Sequence, residues 1–215
     1  MLYIEKYMVN MVQENSYLIW DDSREACIID PGFMTDSNLK QLQQTIEQEH
    51  LTLTRCIGTH RHFDHYLGAL KVKEQYGVVL EMPEEDIDLL PSIEDQMRLL
   101  YIPSISPLEE PETKPLQLEP DGSIHFGDTK LQVIKAPGHS PGHVCYYYAG
   151  GDGALFSGDV IFLNDHGRYD LWGGSYEALM DSIKNLLTIL PASTVIYSGH
   201  GPNTTVGAER RNYQM

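Results

Sequence analysis

Three things are scarce in this chain, and each shortage narrows what the protein can be. Cysteine occurs only at Cys27, Cys56 and Cys145. Their spacing forms neither a disulfide framework nor a CxxC site, and each sits in an apolar, strand-like run, so buried free thiols are expected. A reducing, cytoplasmic location is the expectation that goes with them. Basic residues are few: 15 Lys and Arg stand against 31 Asp and Glu, a formal net charge of −16. Neutralising a phosphate backbone needs a basic surface, so no nucleic-acid partner is expected. Long apolar runs are missing too, and the start, MLYIEKYMVNMV, lacks the basic-then-apolar layout of a signal peptide. No membrane partner is expected. At 215 residues and 41% hydrophobic content, the chain has enough apolar material for one domain over 1–215.

Histidine, by contrast, is concentrated. Thr59-His60-Arg61-His62-Phe63-Asp64-His65 brings three histidines and one aspartate together. Thr54–Gly58 before it reads as a strand ending in glycine. Tyr66–Tyr76 after it reads as a helix, with Leu67 and Leu70 at helical spacing and Gly77 as the stop. In extended backbone, side chains at i and i+2 share a side, so His60 and His62 can face one metal ion. Asp64 and His65 then face elsewhere, and Asp64 is also placed to begin the helix. Imidazole suits zinc and neighbouring first-row metals, and carboxylate suits all of them. The bland alternative, a polar surface loop, predicts no partners elsewhere. Partners exist: Ala136–His143 (APGHSPGH), Phe156–Asp159 (FSGD) and Tyr197–Gly201 (YSGHG) each follow an apolar run and read as loops at strand ends.

The ordered set HxHxDH, GH, SGD and GHG, with the Asp30-Pro31-Gly32 turn ahead of it, resembles the metallo-β-lactamase superfamily over nearly the whole chain. The resemblance implies an α/β fold, a four-layer αββα sandwich of two similar halves with metals at one edge of the strand ends. Motif by motif, it implies that His60, His62 and His139 hold one metal, that Asp64, His65 and His200 hold a second, and that Asp159 bridges them. Two divalent ions per chain are therefore expected, zinc first, with iron or manganese as alternatives. Asp30 and His143 are implied as groups behind the ligands. The likeness is greatest to glyoxalase II and its short bacterial relatives, through GHSPGHV, SGDVIF, the GRYD…GG loop and GHGP followed by TTVGAER. In that branch a basic residue after the bridging aspartate helps hold an anionic substrate tail, which nominates Arg168, with Tyr169 beside it. An ordinary surface or ion-paired arginine is the competing reading. The sequence ends at Met215 without the helical domain that contributes glutathione contacts in glyoxalase II, so another acyl thioester is also open.

Two cations about 3.5–4 Å apart lower the pKa of shared water toward about 7, which supplies a hydroxide nucleophile at neutral pH. Such a pair also polarises a carbonyl and stabilises its oxyanion. The expected reaction is hydrolysis of a small, anionic acyl thioester by a metal-bridging hydroxide, with Asp64 orienting it. The alternative is a persulfide dioxygenase of the same fold, with one iron on the equivalents of His60, His139 and Asp159. A nuclease is opposed by the charge, and a true β-lactamase by the Asp64–His65 pattern and the absent signal peptide.

The remaining chain supplies scaffold. Leu2–Met8, Ser16–Trp20 and Ala26–Ile29 read as strands, with turn chemistry at Glu14-Asn15. A helix capped by Thr35 or Asp36 carries the stripe Leu39, Leu42, Ile46. Glu81–Asp121 holds twelve acidic residues against Arg98 and Lys114. It reads as a solvated connection around one helix, Ile87–Tyr101, with Tyr101 or Ile102 available to line a pocket. Ser175 caps a second long helix, with Leu179, Ile183, Leu186, Leu187 and Leu190 on one stripe and Pro191 as its stop.

Overall fold

The computed structural model describes residues 1–102 and 109–214. Alternation along the strands decides the layering. In β2 (Glu14–Trp20) and β3 (Glu25–Ile29), Tyr17, Ile19, Cys27 and Ile29 point one way, while Leu18, Trp20, Ala26 and Ile28 point the other. Both faces are apolar, so the sheet is covered on both sides. With β1 (Tyr3–Val9), β4 (Thr52–Ile57), β5 (Leu80–Met82) and β6 (Thr113–Pro115) they form a six-stranded sheet in sequence order. The second sheet runs β14-β13-β10-β9-β8-β7, built from β7 (Ser123–Phe126), β8 (Thr129–Lys135), β9 (Val144–Tyr148), β10 (Ala154–Gly158), β13 (Val195–Ser198) and β14 (Thr204–Thr205). Between β10 and β13 in sequence, β11 (Ile161–Phe162) and β12 (Asp165–His166) form a short antiparallel ribbon.

Tyr17, Ile19, Ile29 and Ile57 of the first sheet meet Ile124, Leu131, Tyr146 and Phe156 of the second in a shared core. Helices close the outer faces. α1 (Asp36–Gln48), α2 (Ala69–Tyr76) and α4 (Ile93–Leu99) bury Leu42, Ile46, Val72, Ile93 and Met97 against the first sheet. α5 (Tyr176–Ile189) and α6 (Val206–Asn212) bury Leu179, Ile183, Leu186, Leu187 and Val206 against the second. At about 1.5–3 kcal/mol per buried aliphatic side chain, these stripes are the main force holding the layers together. Caps fix the helix starts: Thr35, Ser175 and Thr205 each accept a backbone N–H from the first turn. The αββα sandwich is the architecture expected from the sequence. Cys27, Cys56 and Cys145 are buried and free, and no helix among the described residues is long and apolar enough to cross a membrane.

Three local expectations fail. The single helix over Ile87–Tyr101 is two, α3 (Glu84–Leu89) and α4, because Pro91 has no N–H to continue the first and its ring disfavours helix at Leu90. Asp64 does not begin the motif helix: Phe63–His65 is a 3-10 turn and α2 starts only at Ala69. Glu14-Asn15 is not a turn but the buried start of β2. Positions 103–108 of the acidic connection lie outside the described residues.

Candidate metal centre

Each predicted metal-binding side chain stands in a loop leaving a strand, along one edge of the sandwich. The loop after β4 carries His60, His62, Asp64 and His65. Those after β8, β10 and β13 carry His139, Asp159 and His200. His60 Nε2, His62 Nδ1 and His139 Nε2 form a triangle with sides of 3.1, 2.7 and 3.1 Å. Beside it, His200 Nε2 is 3.3 Å from Asp64 Oδ2 and 3.6 Å from Asp159 Oδ2. His65 Nε2 is 3.7 Å from Asp64 Oδ2 and 3.4 Å from Asp159 Oδ1. Asp159 Oδ2 is also 3.5 Å from His139 Nε2, so this one carboxylate faces both groups.

Hydrogen bonds behind the rings determine which nitrogen faces inward. Thr59 Oγ1 donates to Asp30 Oδ2 at 2.8 Å, and therefore accepts from His60 Nδ1 at 3.0 Å, leaving His60 Nε2 bare. His65 Nδ1 donates to Asp30 Oδ2 at 3.0 Å, and His139 Nδ1 donates to the Arg168 carbonyl at 2.6 Å. At His60 and His139 the inner nitrogen is thereby left as a lone pair, the arrangement that metal-binding histidines require. Asp30 performs this task from a left-handed backbone, φ 51°, an uncommon conformation for a non-glycine residue. It is held there by Thr59 N donating to Oδ1 at 2.6 Å.

Electrostatics divides the cluster. Burial, reinforced by neighbouring imidazoles, holds His60 well below its ordinary pKa, and burial takes His62 down to about 3. Burial likewise lowers His139. Burial therefore disfavours the charged form of all three rings. At His65 and His200 burial opposes protonation, but Asp159 and Asp64 outweigh it and raise both. Without metal, their protons balance the two carboxylates, and a cation would have to displace them.

Divalent cations fit this donor set. His65 Nε2 and Asp159 Oδ1 are buried without a hydrogen-bond partner, and a metal satisfies both along with the unprotonated histidine triangle. Space is tight around them. A methyl on Gly199 would collide with Asp159 Oδ1 and His65 Cε1, which is why the loop after β13 has glycine there.

The family model for the metallo-β-lactamase superfamily matches residues 9–200. The chain belongs to the metallo-β-lactamase superfamily. Within it, the chain is similar to the hydroxyacylglutathione hydrolase GloC of Haemophilus influenzae, at 34% identity over 211 residues, covering 97% of this chain and 95% of the relative. Its fold is similar to TTHA1623 in a di-iron-bound form, with TM-score 0.81, 32% identity and coverage of 97% and 98%. It is also similar to the B3 metallo-β-lactamase BLEG-1, with TM-score 0.77, 32% identity and 97% coverage of both chains. These relationships place the chain among the metallo-hydrolases.

Above the cluster of this superfamily member opens a cavity of about 400 Å³. Its apolar wall includes Leu100, Ile102, Phe162, Leu171 and Trp172, the last 5.8 Å ring to ring from His62. Tyr101, the other pocket candidate, is exposed. Arg168 lines the rim, but its guanidinium is held by both oxygens of Asp170, at 2.7 and 3.0 Å. The ion-paired reading describes its side chain, and its carbonyl is what orients His139. Tyr169 does not line the cavity; it packs on Tyr176 with ring centroids 5.0 Å apart. His143 stacks on His60, and its Nε2 accepts the Asp159 N–H at 3.1 Å.

Several contributors escaped the sequence reading. Asp86, from the stretch read as solvated, is fully buried. It accepts from Arg61 N (3.0 Å), Ser140 Oγ (2.7 Å) and Gly142 N (2.6 Å), so it ties the His60–His62 loop to the His139 loop. Gln96 of α4 accepts from Phe63 N and donates to Arg61 O, both at 2.9 Å. Glu14 is buried 3.8 Å from His65 Nδ1. Asn15 clamps the His200 loop through Ser198 O and Gly201 O, both at 2.9 Å. A charge run gives no local sign of which carboxylate turns inward. The Glu14-Asn15 doublet preceding β-branched and aromatic residues was the only available signal.

Proposed function

We propose that the protein hydrolyses acyl thioesters of the hydroxyacylglutathione type, using two divalent cations held by His60, His62, Asp64, His65, His139, Asp159 and His200. Zinc is the first expectation, and iron or manganese suit the same donors. The observation that carries this reading is the convergence of seven donors, in two groups that Asp159 faces together, five of which line one apolar-walled cavity. The relative named hydroxyacylglutathione hydrolase supports the substrate class. An acidic chain is an unsuitable platform for nucleic acid, so the partner is a small molecule.

When bound, the cations supply acidified water and a Lewis acid for the thioester carbonyl. The chain does the rest. Although burial opposes its ionisation, Asp64 is kept ionised by His65 and His200, so it can accept a hydrogen bond from the attacking water and orient it. Asp159 is held in place through its own N–H by His143. Trp172, Phe162 and Leu171 give the acyl chain an apolar wall and exclude competing water. A thiol with pKa near about 8.5 leaves readily as thiolate, so no protonated side chain is needed on that side.

Purified protein should be assayed against S-lactoylglutathione, an aliphatic lactone, a β-lactam and glutathione persulfide with oxygen consumption recorded. Thioester hydrolysis that chelation abolishes and added metal restores is the expected result. Oxygen uptake on persulfide without thioester hydrolysis would establish the dioxygenase alternative. Preference for the β-lactam would transfer the reading to the activity in the name of the BLEG-1 relative.

A further inference from the structure

A second cavity, of about 350 Å³, lies across His200 from the first and shares Val12 and His200 with it. The two differ in chemistry. Where the first is walled mainly by aliphatic and aromatic side chains, the second sets Lys6 and Gln13 among Met8, Val12 and Pro202, beside Asn15 and the Gly201 backbone. Lys6 Nζ donates one hydrogen bond, to Gly201 O at 3.1 Å, which leaves two of its N–H groups for a ligand. The same carbonyl accepts from Asn15 Nδ2, so it is fixed, and Lys6 is anchored at the mouth beside the His200 loop.

Charge singles Lys6 out. In this acidic chain most cations are already paired with carboxylates, Arg168 among them. Among the described residues Lys6, Lys40, Lys184, Arg210 and Arg211 are not, and of these Lys6 is the one beside the metal cluster. A thioester is a bipartite molecule with its reacting carbonyl between an acyl chain and a thiol. A carbonyl over the cluster would have an apolar compartment on one side and a cationic one on the other. One ammonium and the Gln13 amide match a carboxylate better than a dianionic phosphate, whose second charge would meet no cation.

Resting on the thioester reading above, we infer that this second cavity binds the carboxylate-bearing tail of the substrate's thiol half, with Lys6 as its cation. The test uses ligands that cannot be turned over. S-hexylglutathione and its diethyl ester are titrated by calorimetry into metal-loaded wild type, Lys6→Met and Lys184→Met, an exposed α5 cation serving as control. The free acid should bind Lys6→Met roughly tenfold more weakly than wild type, the scale of one lost charge-assisted contact. The ester should bind both alike, and Lys184→Met should match wild type for both ligands. Equal affinity of the free acid for wild type and Lys6→Met, equal losses on acid and ester, or no binding of the free acid to wild type would each overturn the subsite. Any of these in a protein that hydrolyses thioesters leaves the hydrolase reading standing. Charge-dependent binding in a protein that hydrolyses none overturns that reading alone.

Discussion

Asp159→Ala should deplete both metal positions at once. Its two oxygens lie 3.4 to 3.6 Å from His65, His139 and His200, so this one carboxylate faces both donor groups. Removing the carboxylate takes one donor from each position and the negative charge that two adjacent cations require. Metal content measured by emission spectroscopy should fall from about two per chain to well below one. kcat/KM for S-lactoylglutathione should drop roughly a thousandfold or more, equivalent to about 4 kcal/mol of transition-state stabilisation. His200→Ala is the informative contrast. It takes a donor from one group only, so about one ion should remain. Equal metal content in wild type and Asp159→Ala would show that the carboxylate does not bridge.

The second large effect is expected from a residue that touches no metal. Asp86→Ala leaves Arg61 N, Ser140 Oγ and Gly142 N without their acceptor in a buried place. Burial already raises the Asp86 pKa against the pull of those donors, so its carboxylate is costly to bury and depends on them. Stranding three buried donors should cost about 3 kcal/mol, lowering Tm by roughly 6–12 °C for a chain this long. Because Arg61 lies between His60 and His62, and Ser140 follows His139, the histidine triangle should loosen with it. Metal affinity should weaken about 10- to 100-fold, as for other groups that orient ligands. Asp86→Asn retains a carbonyl for one side but turns an NH₂ toward donors on the other, so it should fall between alanine and wild type in both measurements. Unchanged metal affinity in both variants would make Asp86 a stabilising residue with no part in the centre.

The clustering of these histidines and aspartates was legible because each follows an apolar strand in a short motif. Strand ends at one edge of a sandwich bring such motifs together without long-range information. The layering was legible for a similar reason, since the alternation of Tyr17, Leu18, Ile19 and Trp20 requires apolar cover on both faces. What supports the centre was not. Asp86 is buried because two backbone N–H groups and a hydroxyl from distant loops need an acceptor, and nothing within its own segment records those donors. Pro91 was a visible break within Ile87–Tyr101 that the one-helix reading passed over. Arg168 shows the opposite difficulty. Its charge drew attention to the side chain, whereas the structure uses its carbonyl and pairs the guanidinium with Asp170.

The central claim is that a two-cation centre on these seven residues hydrolyses thioesters. Its most direct test is to titrate metal-free protein with zinc, iron(II) and manganese while following S-lactoylglutathione hydrolysis at each addition. Activity that rises and reaches its plateau at about two equivalents of a divalent ion is the predicted result. A plateau at one equivalent, or two tightly bound ions with no hydrolysis of any thioester, would contradict it.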